Sequence, residues 1–143
     1  MNAETNVTIE QPPAAVFAAL IDIARHPEWA GAVREVRAIE WRDGGIGSTF
    51  EQVTSALGRT VVAQVTVTDF EPDVRFGARA AGPVPAHMIW ELAPTATGTR
   101  VRMSLCADPG PLGGFVAGFM KSHLLDQMTQ DLQRLKNRVE AVA

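Results

Sequence analysis

At 143 residues, 46 % apolar and 20 % charged, the chain is long enough to bury a core and too hydrophobic to stay disordered. Thirteen Lys and Arg against 16 Asp and Glu give a formal charge of −3, and no basic cluster occurs, which argues against nucleic acid as a partner. The single Cys106 excludes an internal disulfide and fits a reducing compartment, and no apolar run reaches the roughly 18–20 residues that cross a bilayer. The start, Met1-Asn2-Ala3-Glu4, is acidic where a secretory leader would be basic, so a cytoplasmic protein is expected, one domain over 1–143.

Asn6 to Glu10 alternates around Val7 and Ile9 and reads as a half-buried strand. Pro12-Pro13 ends it and opens a helix, Ala14 to Ile23, with Val16, Phe17, Leu20 and Ile23 at helical spacing. Asp22 can cap a second short helix through Arg25 to Ala30, with a boundary near His26 set by Pro27. Val33 to Arg42 is a strand of mixed alternation, which suggests a bulge. Asp43-Gly44-Gly45 is a hairpin signal, and Ser48 to Ala56 follows. Thr60 to Glu71 is the clearest strand, with Val61, Ala63, Val65 and Val67 on one face. Val74 to Ala81 presents Val74, Phe76, Ala78 and Ala80 opposite Arg75 and Arg79. Pro85 to Leu92 places Ala86, Met88, Trp90 and Leu92 opposite His87 and Glu91, and Thr99 to Ala107 places Val101, Met103 and Leu105 opposite Arg100 and Arg102. After the Asp108-Pro109-Gly110-Pro111 loop, Pro111 to Val142 reads as one long helix. The order β-α-α-β6-α, with six strands joined by short turns, implies an antiparallel meander whose inner face buries that helix.

Several marks recur in a known order. They are Ile9-x-x-Pro12-x-x-x-Val16-Phe17, Asp22 with Trp29, Gly45-x-Gly47, Phe70-Glu71-Pro72, Trp90-x-Leu92, Gly98-Thr99-Arg100-Val101 and Asp131-Leu132-x-x-Leu135-Lys136. Together they resemble the START-like, or Bet v 1-like, helix-grip superfamily, in its bacterial polyketide cyclase/dehydrase branch. The resemblance covers nearly the whole chain. It implies an α+β fold, a curved seven-stranded antiparallel sheet wrapped around the C-terminal helix, with an apolar cavity between them. Members bind lipids, sterols, hormones or polyketides, and some are cyclases or aromatases.

The candidate site residues follow from the inward rows. Phe50, Gln52 and Thr54 share a face, and Gln52 on a concave face could orient a ligand hydroxyl or carbonyl. Phe76, Met88, Trp90, Met103, Phe119 and Met120 are wall candidates, each of which could equally fill a core. His123 falls with Leu112, Phe115, Val116 and Phe119 on one helical stripe, which aims it at the sheet or the hollow. It is either a core histidine bonded to a backbone carbonyl or a polar handle and proton donor for a ligand. Leu124, Met128, Leu132, Leu135 and Val139 form a second stripe, turned by roughly 140–160° from the first. The second half of the helix is therefore expected to be gripped by the sheet. The first half is expected to be a movable cover of the hollow, with His123 at the joint; either the helix kinks around Gly118 to Leu125 or its first half covers something other than the sheet.

No metal or cofactor is expected. His26, His87 and His123 lack paired spacing, and Gly45-x-Gly47 lies in a hairpin rather than between a strand and a helix. Cys106 reads as structural, and His87 and Arg79 as solvent-facing. The reading favours a binding module for a hydrophobic small molecule (lipid, polyketide or aromatic metabolite), as a monomer or homodimer. A cyclase or aromatase acting on a poly-ketone is the alternative. It is weakened by the absence of Tyr and of any Asp or Glu on an inward row, which leaves His123 and Gln52, with Arg79 or Thr54 behind them. A third reading is a structural or regulatory protein with a filled core.

Overall fold

The computed structural model describes residues 1–56, 58–82, 84–108, 110 and 113–141, the side chains of 56 and 113–120 excepted. Strand β1 (Asn2–Ile9) begins at Asn2 rather than Asn6 because its whole length pairs with the last strand, from Asn2 opposite Cys106 to Ile9 opposite Thr99. Its first inward residues, Ala3 and Thr5, are small or polar, so the sequence shows no apolar alternation there although Ala3 is buried. The amino terminus of Met1 donates to the Ala107 carbonyl at 2.8 Å and closes that end of the ladder.

Helix α1 (Pro13–Ile21) has Pro12 in an extended conformation at its cap and Pro13 at its first position, where a missing N–H costs nothing. It buries Val16, Phe17 and Leu20. The second helical piece is 3-10, Ile23–Glu28. Strands β2 (Val33–Glu40), β3 (Thr49–Ala56), β4 (Arg59–Glu71), β5 (Arg75–Ala81), β6 (Ala86–Pro94) and β7 (Thr99–Ala107) follow, then helix α2 (Gly113–Ala141). The sheet order is β1-β7-β6-β5-β4-β3-β2, antiparallel throughout.

The bulge expected in β2 is present. The register against β3 shifts between Val33 and Glu35 and again between Arg37 and Glu40, with Ala38 at φ 54 between the latter pair. A second shift falls between Val67 and Asp69 on β4. Gly45, in the β2–β3 hairpin, has φ 81 and lies against the Phe70 ring, so a side chain there would meet both backbone strain and the ring. The inward rows of β4, β6 and β7 are as the alternation suggests. In β5, Phe76 and Ala78 are buried, but Val74 belongs to the preceding turn and is 46 % exposed.

In α2 the stripe Met128, Leu132, Leu135 and Val139 is buried, with Leu135 fully enclosed. Burying such side chains stabilises by about 1.5–3 kcal/mol each. Polar ties hold the same helix along β1. Thr129 Oγ1 meets Thr5 Oγ1 at 3.1 Å, Lys136 Nζ donates to the Thr8 carbonyl at 2.9 Å, and the Glu10 N–H donates to Glu140 at 2.9 Å. The second half is thus the gripped part. The stripe of the first half, Phe115, Val116 and Phe119, lies outside the described side chains. The helix runs as one element through the Gly118–Leu125 stretch.

Candidate functional site

Between the inner face of the sheet, the 3-10 helix and α2 lies a cavity of about 130 Å³. Six of the side chains expected to wall it do so: Phe50, Gln52, Phe76, Met88, Trp90 and Met103. They come together because β3, β5, β6 and β7 each present every second residue to the same concave face, and the register pairs Phe76 with Trp90 and Trp90 with Met103. Thr54 also lines the cavity. An apolar cavity of about 150 Å³ admits benzene, whereas pockets for drug-sized molecules measure roughly 300–1,000 Å³. This hollow therefore matches a single ring.

The 3-10 helix supplies the opposite wall. With three residues per turn, Ile23 and His26 stack on one side with Trp29 at the C-cap, and all three are buried. Trp29 stands edge-on to His26 at 5.0 Å and to Trp90 at 6.4 Å between ring centres, and Trp90 stacks on Phe76 at 5.7 Å. His26 Nε2 lies 2.6 Å from the Leu20 carbonyl oxygen. A carbonyl only accepts, so Nε2 carries the hydrogen and Nδ1 of the neutral ring is left as an acceptor. Burial holds the imidazole below its ordinary pKa, against the opposing pull of the Leu20 carbonyl and the Asp22 charge. The indole N–H groups of Trp29 and Trp90 are buried and have no hydrogen-bond partner among the described residues.

Helix α2 contributes Leu124, Gln127, Met128 and Asp131 to the lining. Asp131 is 9 % exposed. Its Oδ1 accepts the Gly31 N–H at 2.9 Å and the Arg134 guanidinium at 2.9 Å, which fastens the loop after the 3-10 helix to α2. Burial raises the Asp131 pKa, opposed by the Gly31 N–H and then by Arg134. The expectation that no carboxylate faces inward is therefore corrected. Asp131 stands on α2, at the 124, 128, 131, 135 spacing of the buried stripe, not on a strand row. That charged residue within an apolar heptad pattern was the available signal, as was the three-residue spacing of Ile23, His26 and Trp29.

His123 is not where the helical wheel put it. It is exposed, and it borders a shallow surface hollow with Gly31, Asp126, Gln127, Gln130 and Arg134 instead of the main cavity. His123 stands about half a turn around the helix from the stripe that the sheet buries, so it turns outward once Met128, Leu132 and Leu135 are seated. Phe119 and Met120 lie outside the described side chains. Arg79 and Cys106 are exposed on the outer face. His87 is half-buried there, with Nε2 3.0 Å from Thr68 Oγ1 and 3.6 Å from Asp69. Among the described residues no cluster of three His, Cys, Asp or Glu is placed to hold a metal ion, and no helix is long and apolar enough to cross a membrane.

Comparison with known proteins agrees with this geometry. No curated protein matches the sequence. Among solved structures, a protein from Thermus thermophilus superimposes with a TM-score of 0.87 at 19 % identity, over 100 % of this chain and 99 % of that one. A START superfamily protein from Mycobacterium smegmatis gives 0.78 at 15 % identity, covering 99 % of each chain. The di-domain ARO/CYC StfQ from the steffimycin biosynthetic pathway gives 0.81 at 15 % identity, over 98 % of this chain and 50 % of that one. These similarities establish the shared helix-grip fold. Residues 1–140 match the family described as polyketide cyclase / dehydrase and lipid transport, and the chain belongs to that family.

Proposed function

We propose that the chain binds an uncharged, ring-sized hydrophobic molecule in the cavity between sheet and α2, acting as one ligand-binding domain. The observation behind this reading is the apolar hollow of about 130 Å³ walled by Phe50, Phe76, Met88, Trp90 and Met103. No Lys or Arg is among its described lining residues, and an anionic ligand would meet Asp131 without a cation of its own. The family includes lipid transport and cyclase members, and a long acyl chain or a multi-ring polyketide exceeds the volume unless the wall moves.

Trp29 and Trp90 line the cavity, so occupancy is readable by tryptophan fluorescence and calorimetry. Toluene-sized compounds are expected to bind saturably. Ala78→Leu, which fills the hollow from β5, is expected to abolish binding while the protein stays folded. Absence of saturable binding by any single-ring compound would overturn the reading.

A second reading is enolisation of a bound ketone. It is supported by a neutral His26 with Nδ1 free to accept a proton and a buried Asp131, both lining the same cavity. Turnover of a poly-β-ketone mimic that survives both His26→Gln and Asp131→Asn would remove them from such chemistry.

A further inference from the structure

We infer that the cavity selects a ligand bearing a hydrogen-bond acceptor, such as a ring ketone, and that the indole N–H groups of Trp29 and Trp90 hold that acceptor. This rests on the reading of the cavity as a ligand site and specifies the ligand's chemistry. Both indole nitrogens are buried without a hydrogen-bond partner among the described residues, and both side chains line the cavity. A buried donor left unpaired forfeits the hydrogen bond it had with water, so two within one small wall demand a reason. Trp41 supplies a contrast. It is 44 % exposed and stands outside the cavity, so water can reach its indole.

An indole donates and cannot accept, so these two groups discriminate between ligands. Gln52 offers both an amide N–H and a carbonyl, and by itself selects neither kind of partner. The two indole ring centres lie 6.4 Å apart and the rings are nearly perpendicular. A carbonyl oxygen has two lone pairs and can accept from both.

The test compares cyclohexanone with methylenecyclohexane, a pair of equal shape in which only the ketone accepts a hydrogen bond. The chain has three Trp, so its indole N–H resonances can be followed individually in the ¹⁵N-labelled protein, with Trp41 as internal reference. Saturating ketone is expected to move the Trp29 and Trp90 indole signals downfield, leaving Trp41 in place, and the alkene is expected not to. Trp29→Phe and Trp90→Phe are each expected to weaken the ketone about tenfold relative to the alkene, the size of one well-made hydrogen bond. The wild-type spectra decide between the outcomes even where a variant fails to fold. If both compounds bind and the indole shifts are the same for each, the acceptor assignment falls while the cavity reading stands. The acceptor assignment falls likewise if both compounds weaken to the same extent in the variants. If neither compound binds, the cavity reading falls and takes this inference with it.

Discussion

Asp131 is the residue whose replacement tests most of the site's physics at once. Its Oδ1 accepts the Gly31 N–H and the Arg134 guanidinium, each at 2.9 Å. Asp131→Ala removes both. A hydrogen bond to a charged group contributes about 1.5–3 kcal/mol, but Gly31 is exposed enough for water to replace the lost acceptor, which places the value at the low end. The Arg134 side chain is 47 % exposed, so its share is small. The expected loss is about 1.5 kcal/mol at pH 7, or about 6 °C in Tm for a chain of this size. Asp131→Asn keeps an oxygen for the Gly31 N–H and removes the titration.

Because burial raises the Asp131 pKa, the folded chain keeps this proton to a higher pH than the unfolded chain does. The stability linked to it is complete below the ordinary aspartate value of about 3.9 and is lost as pH rises through the folded value. Urea unfolding of wild type and Asp131→Asn from pH 4 to pH 7 should therefore show the Asn variant gaining on the wild type as pH rises. Titration of His26 is common to both proteins and cancels in the difference. Parallel stability curves across that range would refute the account of a burial-raised carboxyl.

Three further outcomes are expected. Leu135→Ala, at a fully buried position on α2, should destabilise by about 2–5 kcal/mol in urea titrations, and a cost under about 1 kcal/mol would deny the grip of the sheet on this helix. Gly45→Ala forces a side chain into a φ of 81 against Phe70 and should cost more than the roughly 1–2 kcal/mol of left-handed strain alone, measured as Tm. Acidification below the ordinary histidine pKa of about 6.5 should weaken the fold through His26, since its folded pKa is lowered and the unfolded chain takes up the proton first; in a His26→Phe variant that segment of the pH–stability curve should flatten.

The strand rows show what a sequence can determine alone. A period of two on β4, β6 and β7 dictates which side chains share a face, so spacing alone puts Met88 and Trp90 on one face of β6 and Met103 on the apolar row of β7. Short turns between successive strands dictate antiparallel neighbours, and proline at the start of α1 dictates where that helix begins. Those are local rules, acting over a few residues.

His123, Asp131 and the start of β1 were decided by contacts across the chain. A helical wheel shows that α2 carries two stripes, but which one the sheet seats depends on the fit of Met128, Leu132, Leu135 and Val139 against the concave face. That choice turned His123 outward and carried Asp131 inward, where Gly31, 100 residues away in sequence, supplies its partner. Ala3 and Thr5 joined β1 because β7 offers a ladder to pair with, not because of any preference of their own. The cavity itself belongs to no element. Its volume is what remains after a 3-10 turn, a curved sheet and a helix have packed, and periodicity within one segment contains no measure of the distance between segments.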